Sequence, residues 1–218
     1  MAVSDESLEV TTHGRYLVEA PGSGLPMLVG FHGYAESADT ALERLRSIEG
    51  ANGRILLAIQ GLHRFYRGRT NEVVASWMTR QDRESTIADN KAYTAKVVEK
   101  VATQFSSNEP IVLAGFSQGV SMAFRCATYL TRPVHSVIAL GGDVPPEIDA
   151  QSLARIPSVL LARGTQDEFY PKEKLATDEI RLRGAGVNLQ VLSFEAGHEW
   201  TSEFSRAVAH FLRSPYKK

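Results

Sequence analysis

The chain has 218 residues, 43% of them hydrophobic and 22% charged, a balance that supports a sizeable buried core and excludes a disordered chain. Its 24 Lys and Arg against 25 Asp and Glu leave a formal charge of -1, without the basic excess of a nucleic-acid-binding protein. Cys126 is the single cysteine, which excludes an internal disulfide and a cysteine-cluster metal site.

The first residues, Met1-Ala2-Val3-Ser4-Asp5-Glu6-Ser7, lack the basic start and apolar run of a secretion signal. A cytoplasmic location is expected, in keeping with the cysteine usage. No apolar stretch approaches the roughly 20 residues that span a bilayer, so stable membrane insertion is not expected. Short, nearly continuous apolar runs at 27–31, 55–59, 111–115, 134–140, 159–162 and 189–194 predict strands covered on both faces, as in a parallel sheet. Helical spacing predicts the cover over 38–49, 87–105, 118–130, 172–184 and 200–213. Ser37 and Asp39 mark the start of the first helix, and Gly184 and Gly186 the end of the fourth.

The alternation of strand and helix predicts one α/β domain over residues 1–218, a mostly parallel, doubly wound sheet whose sites lie beyond the carboxyl ends of the strands. Residues 61–86 interrupt the pattern with Arg, Gly, Thr and Ser around Phe65, Tyr66, Trp77 and Met78. A connection of that length is usually functional or disordered, and its aromatic residues predict one that packs, here as a loop close to the site.

Gly115-Phe116-Ser117-Gln118-Gly119 sits between the buried run Ile111-Val112-Leu113-Ala114 and the helical segment that begins near Val120. This is the strand-turn-helix setting in which a G-x-S-x-G motif thrusts its serine out of a sharp turn, with small residues on either side. Ser117 is the expected nucleophile. A serine hydroxyl needs a base, and the base needs a carboxylate to orient it; in α/β-hydrolases the chain order is Ser, acid, His. His198, between the last strand and the last helix, is the expected base, ahead of His135 and His210. Asp167 follows the strand at 159–162 and is the expected acid, with Asp143 and Glu168 as rivals. His198-Glu199 is followed by Thr201 and Ser202, so no His-Glu-x-x-His zinc motif forms. Neither a metal nor another cofactor is expected.

Acyl transfer also needs two donors aimed at the oxyanion. The Gln118 N–H directly after the nucleophile and the Tyr34 N–H in Phe31-His32-Gly33-Tyr34 are the candidates, with His32 holding that loop. Phe65, Tyr66, Trp77 and Met78 are candidates for the substrate pocket, with a satellite core under the folded loop as the alternative reading. Arg64, Arg67 and Arg69 are read first as solvated or ion-paired, and second as a receptor for an anionic group.

With Phe31-His32-Gly33-Tyr34, Gly115-Phe116-Ser117-Gln118-Gly119, Gly164-Thr165-Gln166-Asp167 and Gly197-His198 in this order, the chain resembles the phospholipase/carboxylesterase family, which includes the acyl-protein thioesterases. The resemblance covers nearly the whole chain, and Arg69 with Ser76-Trp77 looks like the family's loop ahead of its long helix. It implies an α/β-hydrolase fold without a separate cap domain, acting on small-molecule esters or thioesters through Ser117, Asp167 and His198. The chain departs from the family pattern at Tyr34-Ala35-Glu36 after His-Gly, at Met78-Thr79 after Trp77, and at Arg163 before Gly164. The alternatives are a catalytically silent binding protein on the same fold, or an acyltransferase or peptidase using the same three residues.

Overall fold

The structure, a computed structural model, describes residues 3–213; residues 1, 2 and 214–218 of the domain expected above lie outside them. Seven strands form the main sheet: β1 (Tyr16–Glu19), β2 (Met27–Phe31), β3 (Ile55–Ile59), β6 (Ile111–Phe116), β7 (Val134–Leu140), β8 (Ser158–Gly164) and β9 (Asn188–Phe194). They lie in the order β1-β3-β2-β6-β7-β8-β9. Every pairing is parallel except β1 with β3. β2, β3 and β6 are buried along their full length, which is why their sequences are continuously apolar. At the edge, β9 alternates in exposure instead.

Successive residues of these strands point to opposite faces and feed two separate cores. Met27, Val29, Ile55, Leu57, Ile111 and Leu113 pack on the side covered by α2 (Arg83–Gln104), α3 (Gln118–Tyr129) and α5 (Lys172–Gly184). Leu28, Leu56, Val112 and Leu160 pack on the other side, under α1 (Ala38–Arg46) and α6 (Ser202–Arg213). Helices on both faces make the sheet doubly wound, as expected from the sequence. At about 1.5–3 kcal/mol for each fully buried large apolar side chain, the two cores supply the main drive for folding. A short helix, α4 (Ala150–Leu153), lies between β7 and β8.

The helix ends follow local chemistry. Ser37 caps α1, its hydroxyl accepting the Thr40 N–H at 3.4 Å. Beyond α5, Gly186 takes φ +79° and the Val187 N–H returns to the Leu182 carbonyl, so the left-handed residue that stops the helix is a glycine.

Residues 61–86 are more ordered than a long loop. β4 (His63–Tyr66) and β5 (Val73–Ser76) pair as an antiparallel hairpin, and α2 begins at Arg83, earlier than its apolar stripe. The hairpin leans on the segment after β2, where the Ala35 N–H donates to the Ala75 carbonyl and the Ala75 N–H to Glu36. Turns after β2, β6, β7, β8 and β9 all open at the carboxyl edge of the sheet. That edge gathers residues 32–36, 117, 141–144, 165–170 and 195–200.

Candidate active site

Ser117 stands at the junction of β6 and α3 with φ 54° and ψ -121°, a strained conformation for a residue with a side chain. Its N–H is held by the Leu140 carbonyl at 2.9 Å, and its carbonyl accepts the Val120 N–H at 3.0 Å. Glycines let the turn close. A Cβ on Gly115 would strike the Gly119 carbonyl, one on Gly119 the Phe31 carbonyl, and one on Gly142 the carbonyl of Ser117 itself. The motif glycines are thus demanded by backbone-to-backbone approach.

The loops after β8 and β9 bring the other two expected residues to this serine. His198 Nε2 lies 2.8 Å from Ser117 Oγ, and His198 Nδ1 lies 2.8 Å from Asp167 Oδ2. Because the carboxylate only accepts, Nδ1 carries the proton and Nε2 presents its lone pair to the serine hydroxyl. The Asp167 side chain is 1% exposed, and its Oδ1 accepts the N–H groups of Phe169 and Tyr170, both at 2.9 Å. Three donors therefore fix the carboxylate. The His198 ring is bracketed by Phe116 at 4.8 Å and Phe169 at 4.9 Å between centroids.

The rival residues lie elsewhere. Asp143 pairs with Lys174 at 3.3 Å, and Glu168 is exposed. His135 opens β7 at the opposite edge of the sheet, and His210 sits on the exposed side of α6.

After β2, the Gly33 N–H donates to Glu36 at 2.6 Å and the Ala35 N–H to Ala75 at 3.0 Å. Between them, the Tyr34 N–H is claimed by no acceptor among the described residues, and neither is the Gln118 N–H. Glu36 is tied by a bidentate pair to Arg44, both contacts 2.6 Å, and Arg44 lies over the Phe116 ring at 4.1 Å. Burial works against the Glu36 carboxylate, but Arg44 and the Gly33 N–H outweigh it and hold it below the usual carboxylate range. His32 accepts the Gly61 N–H at Nε2 and so donates from Nδ1 to the Gly33 carbonyl. Burial pushes its pKa down and favours this neutral form.

Of the pocket candidates, Trp77 has no exposed surface to offer a ligand. Its ring stacks on His32 at 5.0 Å, its indole N–H donates to the His32 carbonyl, and its backbone is tied to Gln118 and Asn90. Phe65 and Met78 are half-buried, and Tyr66 is exposed. The Phe65 ring packs on the exposed Tyr34 ring at 5.6 Å. Arg64 donates to the His13 carbonyl, while Arg67 donates to the Ala35 carbonyl and pairs with Glu72. Arg69 is exposed.

Sequence reasoning did not single out the Glu36–Arg44 clamp, the Gln118 side chain, Gly141 or Phe169. Gly141, at φ +66°, lies so close that a Cβ there would come 3.0 Å from Asp167 Oδ2 and 3.1 Å from His198 Cε1. Its position right after a buried strand was the one available signal.

Residues 72–215 match the phospholipase/carboxylesterase family. The chain belongs to this family. Esterase PE8 superposes on it with a TM-score of 0.69 at 23% identity, over 94% of this chain and 99% of that one. A carboxylesterase from Mesorhizobium loti does so with a TM-score of 0.77 at 20% identity, over 93% and 95%. Acyl-protein thioesterase 2 from Zea mays gives 0.68 at 20% identity, over 92% and 98%. Membership and these likenesses place the phospholipase/carboxylesterase chain on the α/β-hydrolase fold. No curated protein sequence matches it. Among the described residues, no helix is long and apolar enough to cross a membrane, and no three His, Cys, Asp or Glu are grouped as a metal site.

Proposed function

We propose that the protein is a serine hydrolase that cleaves carboxylic esters, with thioesters as a second substrate class, through Ser117, His198 and Asp167. The observation that carries this is the relay of two 2.8 Å contacts that joins a strained serine to a histidine and a buried carboxylate. His198 takes the Ser117 proton as Oγ attacks the acyl carbon, and Asp167 steadies the imidazolium that forms. His198 then gives that proton to the leaving alcohol or thiol, leaving an acyl group on Ser117. Water, activated by the same histidine, releases the acid.

The Tyr34 and Gln118 N–H groups hold the developing oxyanion, each contributing about 3 kcal/mol to the barrier reduction. Their availability supports the assignment, since the Gly33, Ala35 and Ser117 N–H groups beside them are already hydrogen-bonded. Phe65, Tyr66 and Met78 are proposed to line the substrate approach together with Tyr34. The family's described activity supports the ester class. No cofactor enters the scheme, and the reaction is assigned to one domain.

Labelling by a fluorophosphonate probe tests the assignment. One probe per chain on Ser117, absent in Ser117→Ala, is expected; an unlabelled wild type refers the fold to a silent binding role. A panel of p-nitrophenyl esters and acyl thioesters from short to long chains then defines the substrate, and competing amine or alcohol acceptors identify transferase activity by their acylated products.

A further inference from the structure

The end of β8 carries a buried cation that the relay does not use. Arg163 is 7% exposed, yet among the described residues it meets no carboxylate within ion-pair distance. Its donors go instead to three backbone carbonyls of the turn that follows. Nε donates to the Tyr170 carbonyl at 2.9 Å, and Nη2 donates to the Thr165 carbonyl at 3.3 Å and to the Asp167 carbonyl at 3.2 Å. A buried guanidinium with no carboxylate beside it is costly unless its donors are satisfied, and these three carbonyls satisfy them.

The three carbonyls belong to the turn that shapes the acid. Residues 165–170 curl back so that the Phe169 and Tyr170 N–H groups reach Asp167 Oδ1, leaving Oδ2 for His198. Arg163 spans this curl from inside, gripping it at its start, at Asp167 itself and at its end. The planar fork of an arginine meets all three acceptors at once, whereas a lysine ammonium has one nitrogen to place. On the far side the Tyr170 hydroxyl donates to Asp178 at 3.0 Å, and Asp178 accepts the Val144 N–H at 3.0 Å. The curl is thus anchored at its outer end to the loop after β7 and at its start to Phe194 and Ala196 through the Thr165 and Gln166 N–H groups, and Arg163 ties its two ends together from within.

We infer that Arg163 is a positioning residue for Asp167: its guanidinium fixes the curl that aims Oδ2 at His198. This deepens the proposed function and rests on it for the kinetic readout alone. Loss of the fork lets Asp167 drift, and a misplacement of about 1 Å costs on the order of 100-fold in rate. Substrate contacts are untouched, so KM is expected to stay within twofold.

Arg163→Lys and Arg163→Met are compared with wild type for kcat and KM on a p-nitrophenyl ester, for thermal midpoint, and by proton NMR. The NMR signal is the low-field resonance of the His198 Nδ1 proton, assigned by its absence in His198→Ala. The expected result is a kcat lower by about 100-fold with KM within twofold, and a low-field resonance that shifts or disappears, at temperatures where the variants are folded. Arg163→Lys keeps the charge and most of the volume, and carries the test if Arg163→Met does not fold. A lysine variant with wild-type kcat and an unmoved resonance, whatever its thermal midpoint, overturns the inference. A wild type that turns over no ester overturns the proposed function instead, and the NMR comparison then decides on Arg163 alone.

Discussion

The Gln118 side-chain oxygen accepts the Trp77 N–H at 2.9 Å, so the residue after Ser117 fastens the end of the β4–β5 hairpin as well as opening α3. Its amide nitrogen donates to the Met78 carbonyl at 3.0 Å, and its oxygen also receives the Ser76 hydroxyl at 3.2 Å. One side chain therefore sets the distance between the serine turn and the hairpin. Gln118→Ala strands the Trp77 N–H and is expected to cost about 1–3 kcal/mol in a urea titration. The Gln118 backbone N–H remains in place, so fluorophosphonate labelling is expected to survive. A variant as stable as wild type contradicts this role.

Gly141→Ala separates activity from stability. The added methyl group comes 3.0 Å from Asp167 Oδ2 and 3.1 Å from His198 Cε1, closer than ordinary van der Waals contact, on a backbone of φ +66°. The strain is expected to cost about 1–2 kcal/mol, whereas ester turnover is expected to fall by about 100-fold through displacement of the imidazole. Steady-state kinetics and thermal unfolding on one preparation check both; unchanged turnover contradicts the packing described around His198.

Phe169 is 75% exposed although its ring touches His198. A ring so placed adds little to stability, and Phe169→Ala is expected to unfold within about 0.5 kcal/mol of wild type. In the proposed reaction His198 hands its proton to the leaving group, which would set the ring beside that part of the substrate. Loss of about tenfold in kcat/KM for aryl esters, and less for methyl esters, is expected. Equal kinetics on both ester types contradict the contact.

Acid pH is expected to unfasten the loop after β2. Burial depresses the pKa of His32 below its ordinary value, so the unfolded chain binds the proton more readily than the folded one. The stability this residue contributes is present in full above about pH 6.5 and is lost as pH falls through its lower folded value. Glu36 follows the same sign at lower pH, its contribution lost below the carboxylate range as its bond to Arg44 breaks. Urea midpoints from pH 7 to pH 4 are expected to fall, and His32→Gln is expected to flatten the upper part of that slope. A midpoint that rises on acidification contradicts both assignments.

Much of this was legible in the sequence because burial leaves a plain mark. β2, β3 and β6 are continuous apolar runs, and Ser117, Asp167 and His198 follow the ends of β6, β8 and β9 in the order the fold requires. β1 was missed because Tyr16–Glu19 is a short, half-buried edge strand. The hairpin was missed because His63–Tyr66 is mostly exposed and carries no apolar alternation. The first turn of α2, at Arg83, is polar and its cap residue Asp82 makes no capping bond, so nothing marked it. The sequence left Trp77 open between pocket wall and satellite core, because an aromatic residue in a packed loop serves either; the structure buries it, its indole N–H and backbone satisfied in the interior. The Glu36–Arg44 clamp and the grip of Arg163 on its carbonyls depend on chain folding, and no spacing in the sequence announces them.

The central claim, an acyl-enzyme on Ser117, is tested most directly by rapid mixing of the protein with a p-nitrophenyl ester, followed by intact-mass analysis of the quenched sample. A burst of p-nitrophenol approaching one equivalent per chain is expected, with the acyl mass located on the peptide that carries Ser117 and no adduct in Ser117→Ala. Ester hydrolysis at the wild-type rate by Ser117→Ala, or an acyl group found on another residue, would contradict it.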